Sequence, residues 1–184
     1  MKNAFLMLFF CCVLFPCAQL SAQPRRYVAR TFYLDLITFQ HAAGLGIYGS
    51  KDASNWGVNY APRANFVMMA DNSISFGSHI ALGLSGKGSD GLKLMYDLPM
   101  VFEYNFGHMA LPDNSQSFGG FLGAGYGFTA LQGESGTVKS NGLVLNAGLR
   151  VLISDRSFGL RVSYMQPLKS ALTNVYTISL QRNF

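Results

Sequence analysis

Apolar residues recur at every second position along most of the chain, which is the period of a β-strand. The clearest run, LMYDLPMVFEYNFG, places one set of apolar and aromatic residues on a single face: Leu94, Tyr96, Leu98, Met100, Phe102, Tyr104 and Phe106. The opposite face carries Asp97, Pro99, Val101, Glu103 and Asn105. An α-helix repeats every 3.6 residues and could not present this pattern, so the run predicts a strand.

The same alternation predicts seven further strands. Six of them cover residues 58–68, 74–84, 118–131, 143–153, 158–164 and 176–184. The first strand ends near Gly49 and starts between Phe32 and His41, although its alternation is poor from Tyr33 to Gln40. Polar residues predict tight turns at 71–72 and 154–156, polar loops at 85–90 and 133–140, and short connections at one end near 50–56, 85–93, 132–140 and 166–173. Eight strands joined in this way predict antiparallel neighbours.

Alternation also fits a soluble carrier of the lipocalin type, whose barrel hides its apolar side chains inside. Such a barrel needs a charged outer face. The polar faces here are mainly Gly, Ser, Asn and Thr, and 12% of the residues are charged, against about 25% in an average soluble domain. Arg182, at a strand end, is the only charge on the predicted apolar faces. The sequence therefore predicts an eight-stranded antiparallel up-and-down transmembrane β-barrel with a polar interior.

Residues 1–22 have the order of a secretory signal peptide. Lys2 is followed by an apolar run, and the small pair at 21–22 predicts cleavage after Ala22. The apolar run is shorter than the roughly 20 residues that span a bilayer as a helix. We therefore expect an exported protein whose barrel domain is residues 23–184.

The cysteines lie within that signal peptide. Cys11, Cys12 and Cys17 would be removed with it, so the mature chain is predicted to have neither disulfides nor thiolate metal sites. A lipoprotein would need a small residue before Cys17, and Pro16 stands there. The formal net charge of +5 is scattered along the chain and does not favour nucleic-acid binding.

With a periplasmic N-terminus, the outward aromatic residues separate into two predicted girdles. The periplasmic rim would carry Phe106, Phe118, Phe158 and Phe184, and the outer rim Tyr96, Tyr126, Phe128, Tyr164 and Tyr176. Aromatic rings are favoured where headgroups meet hydrocarbon. The alternative is that these are ordinary strand residues, because aromatic side chains favour strands in general.

The C-terminal segment VYTISLQRNF carries a resemblance. The chain resembles the small bacterial outer-membrane β-barrel proteins of the OmpA/OmpX type, particularly the short barrels typical of Bacteroidetes, over essentially all of residues 23–184. In that family the last strand ends in an aromatic residue preceded by alternating apolar residues, a signal read by the barrel-insertion machinery. Tyr176, Ile178, Leu180 and Phe184 match it, and Arg182 departs from the usual apolar residue.

The resemblance implies location and architecture more than activity. It implies an outer-membrane monomer whose partners are outer-membrane lipids, the barrel-assembly machinery and periplasmic chaperones. Members of the family differ in function, so a structural, adhesion or surface-interaction role is expected here. The alternatives are a narrow pore for small solutes and a membrane-embedded lipid-modifying enzyme.

Charged residues on the polar faces define the candidate site. They are Arg63, Asp97, Glu103, Arg150 and Arg161, with His79 beside them. Because an unpaired ion in a narrow lumen is costly, we expect them to form an ion-pair network. Judged by its position along the strand, Glu103 lies at about the level of Arg150 and Arg161, and Asp97 lies nearer the outer rim. Such a network would either line a gated, water-filled path or plug the interior, and the small diameter of eight strands favours the plug.

Enzymatic and metal sites have little support in the sequence. Ser78 and His79 are adjacent in a strand and point to opposite faces, so they cannot form a nucleophile and base pair. Ser75 and Ser85 share the face of His79 but lie well away along it, and no third group converges on them. His41 and His108 are expected to be isolated and solvated, and three scattered histidines do not predict a metal site. No cofactor is expected.

Overall fold

The computed structural model describes residues 37–50, 54–68, 71–85, 93–111, 116–133, 136–170 and 174–184. All of them belong to one of two compact units in the chain, Thr31–Phe184. The predicted signal peptide, its cleavage site after Ala22 and any part of the first strand before residue 37 lie outside the described residues. Within the described residues, no helix is long and apolar enough to cross a membrane.

Nine antiparallel strands make up the described part of the chain. They are β1 (Thr38–Gly49), β2 (Ser54–Met68), β3 (Asn72–Ser78), β4 (Ile80–Ser85), β5 (Lys93–Gly107), β6 (Phe118–Gly133), β7 (Gly136–Ile153), β8 (Arg156–Ser170) and β9 (Val175–Asn183). The sheet closes on itself because β1 pairs with both β2 and β9. We call the end with Thr38 and Phe184 the terminal end, and the end with Gly49 and Val175 the distal end.

Strands β3 and β4 together occupy one position in this ring. Both pair with β2 on one side and with β5 on the other, in unchanged register across the break at His79. Continuing those registers places Pro99 opposite His79 and Pro62 opposite the preceding Ser78. Proline lacks an N–H, so the ladder loses a hydrogen bond on each side. The predicted strand at 74–84 is thus one interrupted strand, and the ring has the eight positions that the sequence predicts.

Burial in this barrel is inverted relative to a soluble protein. The outward residues Leu45 and Leu180 are 67% and 61% exposed, whereas the inward Arg150 is 1% exposed. The same alternation continues along β5 and β9, where every second residue is buried. An apolar outer surface of this extent fits hydrocarbon rather than water, which confirms the predicted transmembrane barrel and excludes the lipocalin alternative.

The hairpin between β6 and β7 differs from the prediction. Residues 136–140 were expected in a polar loop, but they belong to β7, and Gly133 pairs directly with Gly136. Backbone pairing continues past the apolar belt because it does not depend on apolar side chains, and Thr137 and Val138 are β-branched residues that favour strands. Strand β8 likewise extends to Ser170. The barrel wall is therefore taller at its distal end than the apolar pattern suggests.

Candidate functional site in the barrel interior

Glu103 is the centre of a buried polar cluster in the terminal half of the barrel. Arg161 Nη1, on β8, donates to Glu103 Oε1 at 2.6 Å, and Asn146 Nδ2, on β7, donates to the same oxygen at 2.7 Å. Arg150 Nη2 lies 3.8 Å from Glu103 Oε2. Two strands, β7 and β8, thus direct polar groups at one carboxylate on β5, which joins them across the lumen.

Arg150 extends this cluster towards the opposite wall. Its Nη1 donates to Asn105 Oδ1 at 2.9 Å, and Asn105 Nδ2 donates to Ser75 Oγ at the same distance. Phe121 packs against both arginines of the cluster: the guanidinium carbons of Arg150 and Arg161 each lie 4.3 Å from the centre of its ring. These cation–π contacts stabilise two like charges in close proximity.

Two glycines provide the space that these side chains occupy. A Cβ on Gly123 would collide with Asn146 Oδ1 and would lie 2.9 Å from Glu103 Cγ. A Cβ on Gly148 would collide with the ring of Phe121. The absence of a side chain at these positions lets one carboxylate and one large ring fit within a narrow lumen.

His79 makes a contact that the sequence did not suggest. Its Nε2 lies 3.2 Å from Ser163 Oγ, and its Nδ1 lies 3.5 Å from Arg161 Nη1. A guanidinium can only donate, so the Nδ1 side of the ring faces a cation. A cation also stands where a catalytic triad has a carboxylate, and both side chains are buried.

Arg63 and Asp97 have different partners from those predicted. Arg63 donates from Nε to Gln40 Oε1 at 2.9 Å and from Nη2 to the backbone oxygen of Met109 at 2.7 Å. Asp97 accepts a hydrogen bond of 2.6 Å from Thr129 Oγ1. Among the described residues, neither is joined to an opposite charge within 4 Å. The structure thus brings Glu103, Arg150, Arg161 and His79 together and leaves Arg63 and Asp97 with neutral partners.

The distal half of the interior contains a cluster of apolar side chains. These residues form one cluster, the distal plug: Tyr48, Ala81, Met95, Val101, Val144, Met165 and Val175. Asn59 Nδ2 donates to the hydroxyl of Tyr48 at 3.1 Å. The prediction of polar inward faces missed this plug, because its members stand only one or two to a strand and come together only in the assembled barrel.

A turn after β5 enters the terminal end of the lumen. Arg63 binds the backbone oxygen of Met109, and Ser73 Oγ donates to that of Ala110 at 2.6 Å. Met109 adopts a left-handed conformation, with a φ of 61°, and Ala110 is fully buried. His108 is only 5% exposed, so the expectation that it is solvated is wrong. His41 is exposed but is not isolated, since its ring stacks on Phe184 at 5.2 Å.

The predicted girdle residues lie on the outward faces of their strands. Phe106, Phe118, Phe158 and Phe184 are near the terminal end, and the other five lie farther towards the distal end, with Tyr126 and Tyr164 near the middle of β6 and β8. Tyr164 and Tyr176 face each other across β8 and β9 with ring centres 5.2 Å apart, and Tyr126 and Phe128 are 5.3 Å apart. Aromatic residues also occur between the two levels: Phe76 and Phe102 are 4.9 Å apart. The outer surface thus combines aromatic ends with an apolar middle that is itself partly aromatic.

The C-terminal residues complete the ring. Tyr176, Ile178 and Leu180 face outward on β9. Phe184 N donates to the backbone oxygen of His41 at 2.8 Å, and the guanidinium carbon of Arg182 lies 4.9 Å from the centre of the Phe184 ring. Phe184 is therefore positioned where the last strand meets the first.

These features define the class of the protein: a small transmembrane β-barrel. No protein-family model matches the chain, and no curated protein matches it. Among solved structures, the chain is similar to Neisserial surface protein A, with a TM-score of 0.52, 19% identity, and coverage of 79% of this chain and 92% of that one. The fold is thus that of the small outer-membrane barrels of the OmpA/OmpX type, as the resemblance in the sequence predicts.

Two further solved structures are similar at lower scores. The attachment invasion locus protein Ail of Yersinia pestis has a TM-score of 0.49 and 15% identity, with coverage of 80% of this chain and 97% of that one. The outer membrane enzyme PagL has a TM-score of 0.44 and 18% identity, with coverage of 79% and 98%.

Proposed function

We propose that this chain is an integral outer-membrane protein with a closed barrel and a structural, adhesion or surface-interaction role. One observation supports the proposal: clusters of buried side chains occur in both halves of the interior that the described residues line. The distal plug occupies one half, the cluster around Glu103 the other, and the turn with Met109 and Ala110 the terminal mouth. A barrel filled in this way contributes its outer surface and its loops, not a passage.

The alternative of a narrow pore has less support. A conducting path needs a continuous column of water, whereas the distal plug consists of apolar side chains that pack against one another. At the other end, both turn contacts of Arg63 and Ser73 would have to break before water could enter. Eight strands leave an interior just wide enough for side chains, which favours the closed state.

The alternative of a lipid-modifying enzyme is also disfavoured. The serine and histidine that meet in the described part of the chain, Ser163 and His79, are buried inside the lumen, and the histidine has a guanidinium rather than a carboxylate beside it. A lipid substrate would approach from the outer surface, which this pair does not reach. We therefore propose a non-enzymatic role with no cofactor.

The two ends of the chain are the basis of our proposal for its location and assembly. We propose that the signal peptide of residues 1–22 is cleaved on export, that both ends of the mature chain are periplasmic, and that Phe184 is read by the barrel-assembly machinery after delivery by periplasmic chaperones. The distal hairpin of β6 and β7, whose residues 136–139 are exposed, would then project outward as a surface for interactions. We expect the barrel to be a monomer surrounded by outer-membrane lipids.

Solute flux through reconstituted vesicles tests this proposal. Vesicles that contain the refolded protein should retain small sugars as well as protein-free vesicles do. Replacing both Met95 and Met165 with glycine would remove the two methionine side chains of the distal plug and gives a control for a barrel that can leak. Rapid swelling with the unmodified protein would contradict the closed barrel, and recovery of the mature protein as a soluble periplasmic species would contradict its membrane location.

A further inference from the structure

Arg182 places a positive charge on the lipid-facing surface of the barrel. Its neighbours along β9, Gln181 and Asn183, are buried in the lumen, so Arg182 points outward and is exposed. In the sheet it pairs with Phe158 of β8, one of the aromatic residues near the terminal end, and with Ala43 of β1. Arg182 therefore lies at the level where, in the proposed membrane position, hydrocarbon meets the headgroups.

The side chain of Arg182 extends towards the terminal end of the barrel and away from its apolar middle. Its guanidinium carbon lies 4.9 Å from the centre of the ring of Phe184, two residues farther along β9. In the opposite direction the next outward residue is Leu180, which is 61% exposed. A long cationic side chain in a membrane protein takes this direction when its charge reaches the headgroups while its methylene groups stay in the apolar layer.

Larger side chains flank the exposed Ala43 on three sides. In the ladder Ala43 has Arg182 on one side and Tyr60 on the other, on strands whose backbones are about 10 Å apart. On the side of the terminal end, the ring of His41 stacks on Phe184 at 5.2 Å and lies 6.0 Å from the ring of Tyr60. The small residue among large ones leaves a shallow recess over the joint between β9 and β1. We call it the seam recess.

The seam recess combines a cation, a hydroxyl group and an apolar approach. The guanidinium of Arg182 offers a fork of N–H donors that matches the oxygens of a phosphate group, and the hydroxyl of Tyr60 is a further donor. Towards the middle of the barrel, Leu45 and Leu180 are paired in the ladder and are 67% and 61% exposed. A molecule with a phosphate at one end and acyl chains at the other matches all three features.

We propose that the seam recess binds the phosphate of a glycerophospholipid whose acyl chains lie along Leu45 and Leu180. The proposal rests on the membrane location proposed above, and periplasmic termini assign this lipid to the inner leaflet of the outer membrane. The phosphate would neutralise a guanidinium that borders hydrocarbon. It would also bridge the two strands whose pairing closes the ring. A free phosphate ion matches the guanidinium but makes no use of the apolar approach.

Native mass spectrometry of the refolded, heat-modifiable protein released from detergent micelles tests the seam recess. Phosphatidylglycerol is compared with a diacylglycerol that has the same acyl chains but lacks the phosphate. We expect one retained phosphatidylglycerol per barrel and binding of the diacylglycerol that is about tenfold weaker, the loss expected for one charge-assisted hydrogen bond. Millimolar inorganic phosphate should not displace the lipid.

Two variants separate the charge of the seam recess from its shape. Arg182→Leu removes the guanidinium and introduces the apolar character that is usual at this place in the barrels the chain resembles. Ala43→Leu keeps the charge and fills the floor of the recess. Each should weaken the binding of phosphatidylglycerol about tenfold. The matched controls, Lys139→Leu at an exposed position near the distal end and Ala124→Leu at an exposed position of β6, should bind it as the unmodified protein does.

Three results would overturn the proposal. If the unmodified protein binds both lipids equally, the apolar belt alone holds them. If Arg182→Leu binds phosphatidylglycerol as strongly as the unmodified protein, Arg182 serves only its contact with Phe184. If inorganic phosphate displaces the lipid, the site is one for a free anion. Each result would leave the closed barrel and its membrane location intact, since solute flux and fractionation test them separately.

Discussion

Arg161 and Glu103 are 58 residues apart in the chain, yet Arg161 Nη1 lies 2.6 Å from Glu103 Oε1 in the centre of the lumen. The strands that carry them, β8 and β5, are not neighbours in the sheet, so this contact crosses the interior. Both side chains are almost completely buried. The pair therefore joins opposite walls of the barrel and fills the space between them.

Removing the carboxylate should destabilise the barrel. Glu103→Ala leaves Arg161 and Arg150 without their negative partner, and breaking a buried pair costs about 3 to 5 kcal/mol. Urea unfolding in micelles should show this loss, with a smaller loss in Glu103→Ala combined with Arg161→Met. Asp155→Asn, at an exposed position of the tight turn before β8, is the matched control and should change the free energy of unfolding by less than about 1 kcal/mol. An unchanged stability of Glu103→Ala would mean that water already solvates these arginines.

The ring of Phe121 requires the space left by Gly148. Gly148→Ala places a methyl group against that ring, and overpacking of this kind costs about 1 to 3 kcal/mol. Gly49→Ala is the control, because a Cβ at Gly49 meets nothing within 4 Å. Unfolding in urea compares the two variants. Equal stability of both would show that Phe121 is not tightly packed.

The terminal aromatic residue should control assembly. Deleting Phe184 removes its backbone bond to His41 and its stacking on the His41 ring, at the seam between β9 and β1. We expect a severalfold decrease in heat-modifiable barrel in the membrane fraction. Phe158→Leu, an outward aromatic residue on the neighbouring strand at the same end, should assemble normally. If the deletion variant assembles as well as the unmodified protein, Phe184 is not an insertion signal.

His108 should make stability depend on pH. Burial lowers the pKa of His108 below its usual value of about 6.5, so the unfolded chain binds a proton at a higher pH than the folded protein does. The contribution of the neutral ring to stability is complete above pH 6.5 and is lost as the pH falls below it. The free energy of unfolding of His108→Gln should therefore fall less between pH 7.5 and pH 5 than that of the unmodified protein. Identical pH profiles would show that His108 is solvated.

The strands and the lipid-facing surface of the barrel could be predicted from the sequence, and many contacts in the interior could not. Lipid contact demands an apolar residue at every second position, which makes strands such as β5 and β9 plain in the sequence. The proximity of Glu103 to Arg150 and Arg161 could be predicted from the positions of these residues along their strands. The contact of His79 with Ser163 did not, because it depends on how far opposite walls approach each other.

Three other differences between the predicted and the observed structure have local causes. The burial of His108 depends on a left-handed turn at Met109, which no periodicity reveals. The neutral partners of Arg63 include a backbone oxygen of that same turn. The strand at 136–140 lies beyond the apolar belt, where polar residues look like a loop although the backbone remains paired.

Single-channel recording in planar bilayers tests the closed barrel most directly. We predict that the refolded, heat-modifiable protein inserts and gives no steady conductance in molar potassium chloride. The double variant Met95→Gly and Met165→Gly, which opens the distal plug, serves as the control for detection. Steady, voltage-independent channels of uniform size from the unmodified protein would contradict a filled interior and would identify this barrel as a small pore.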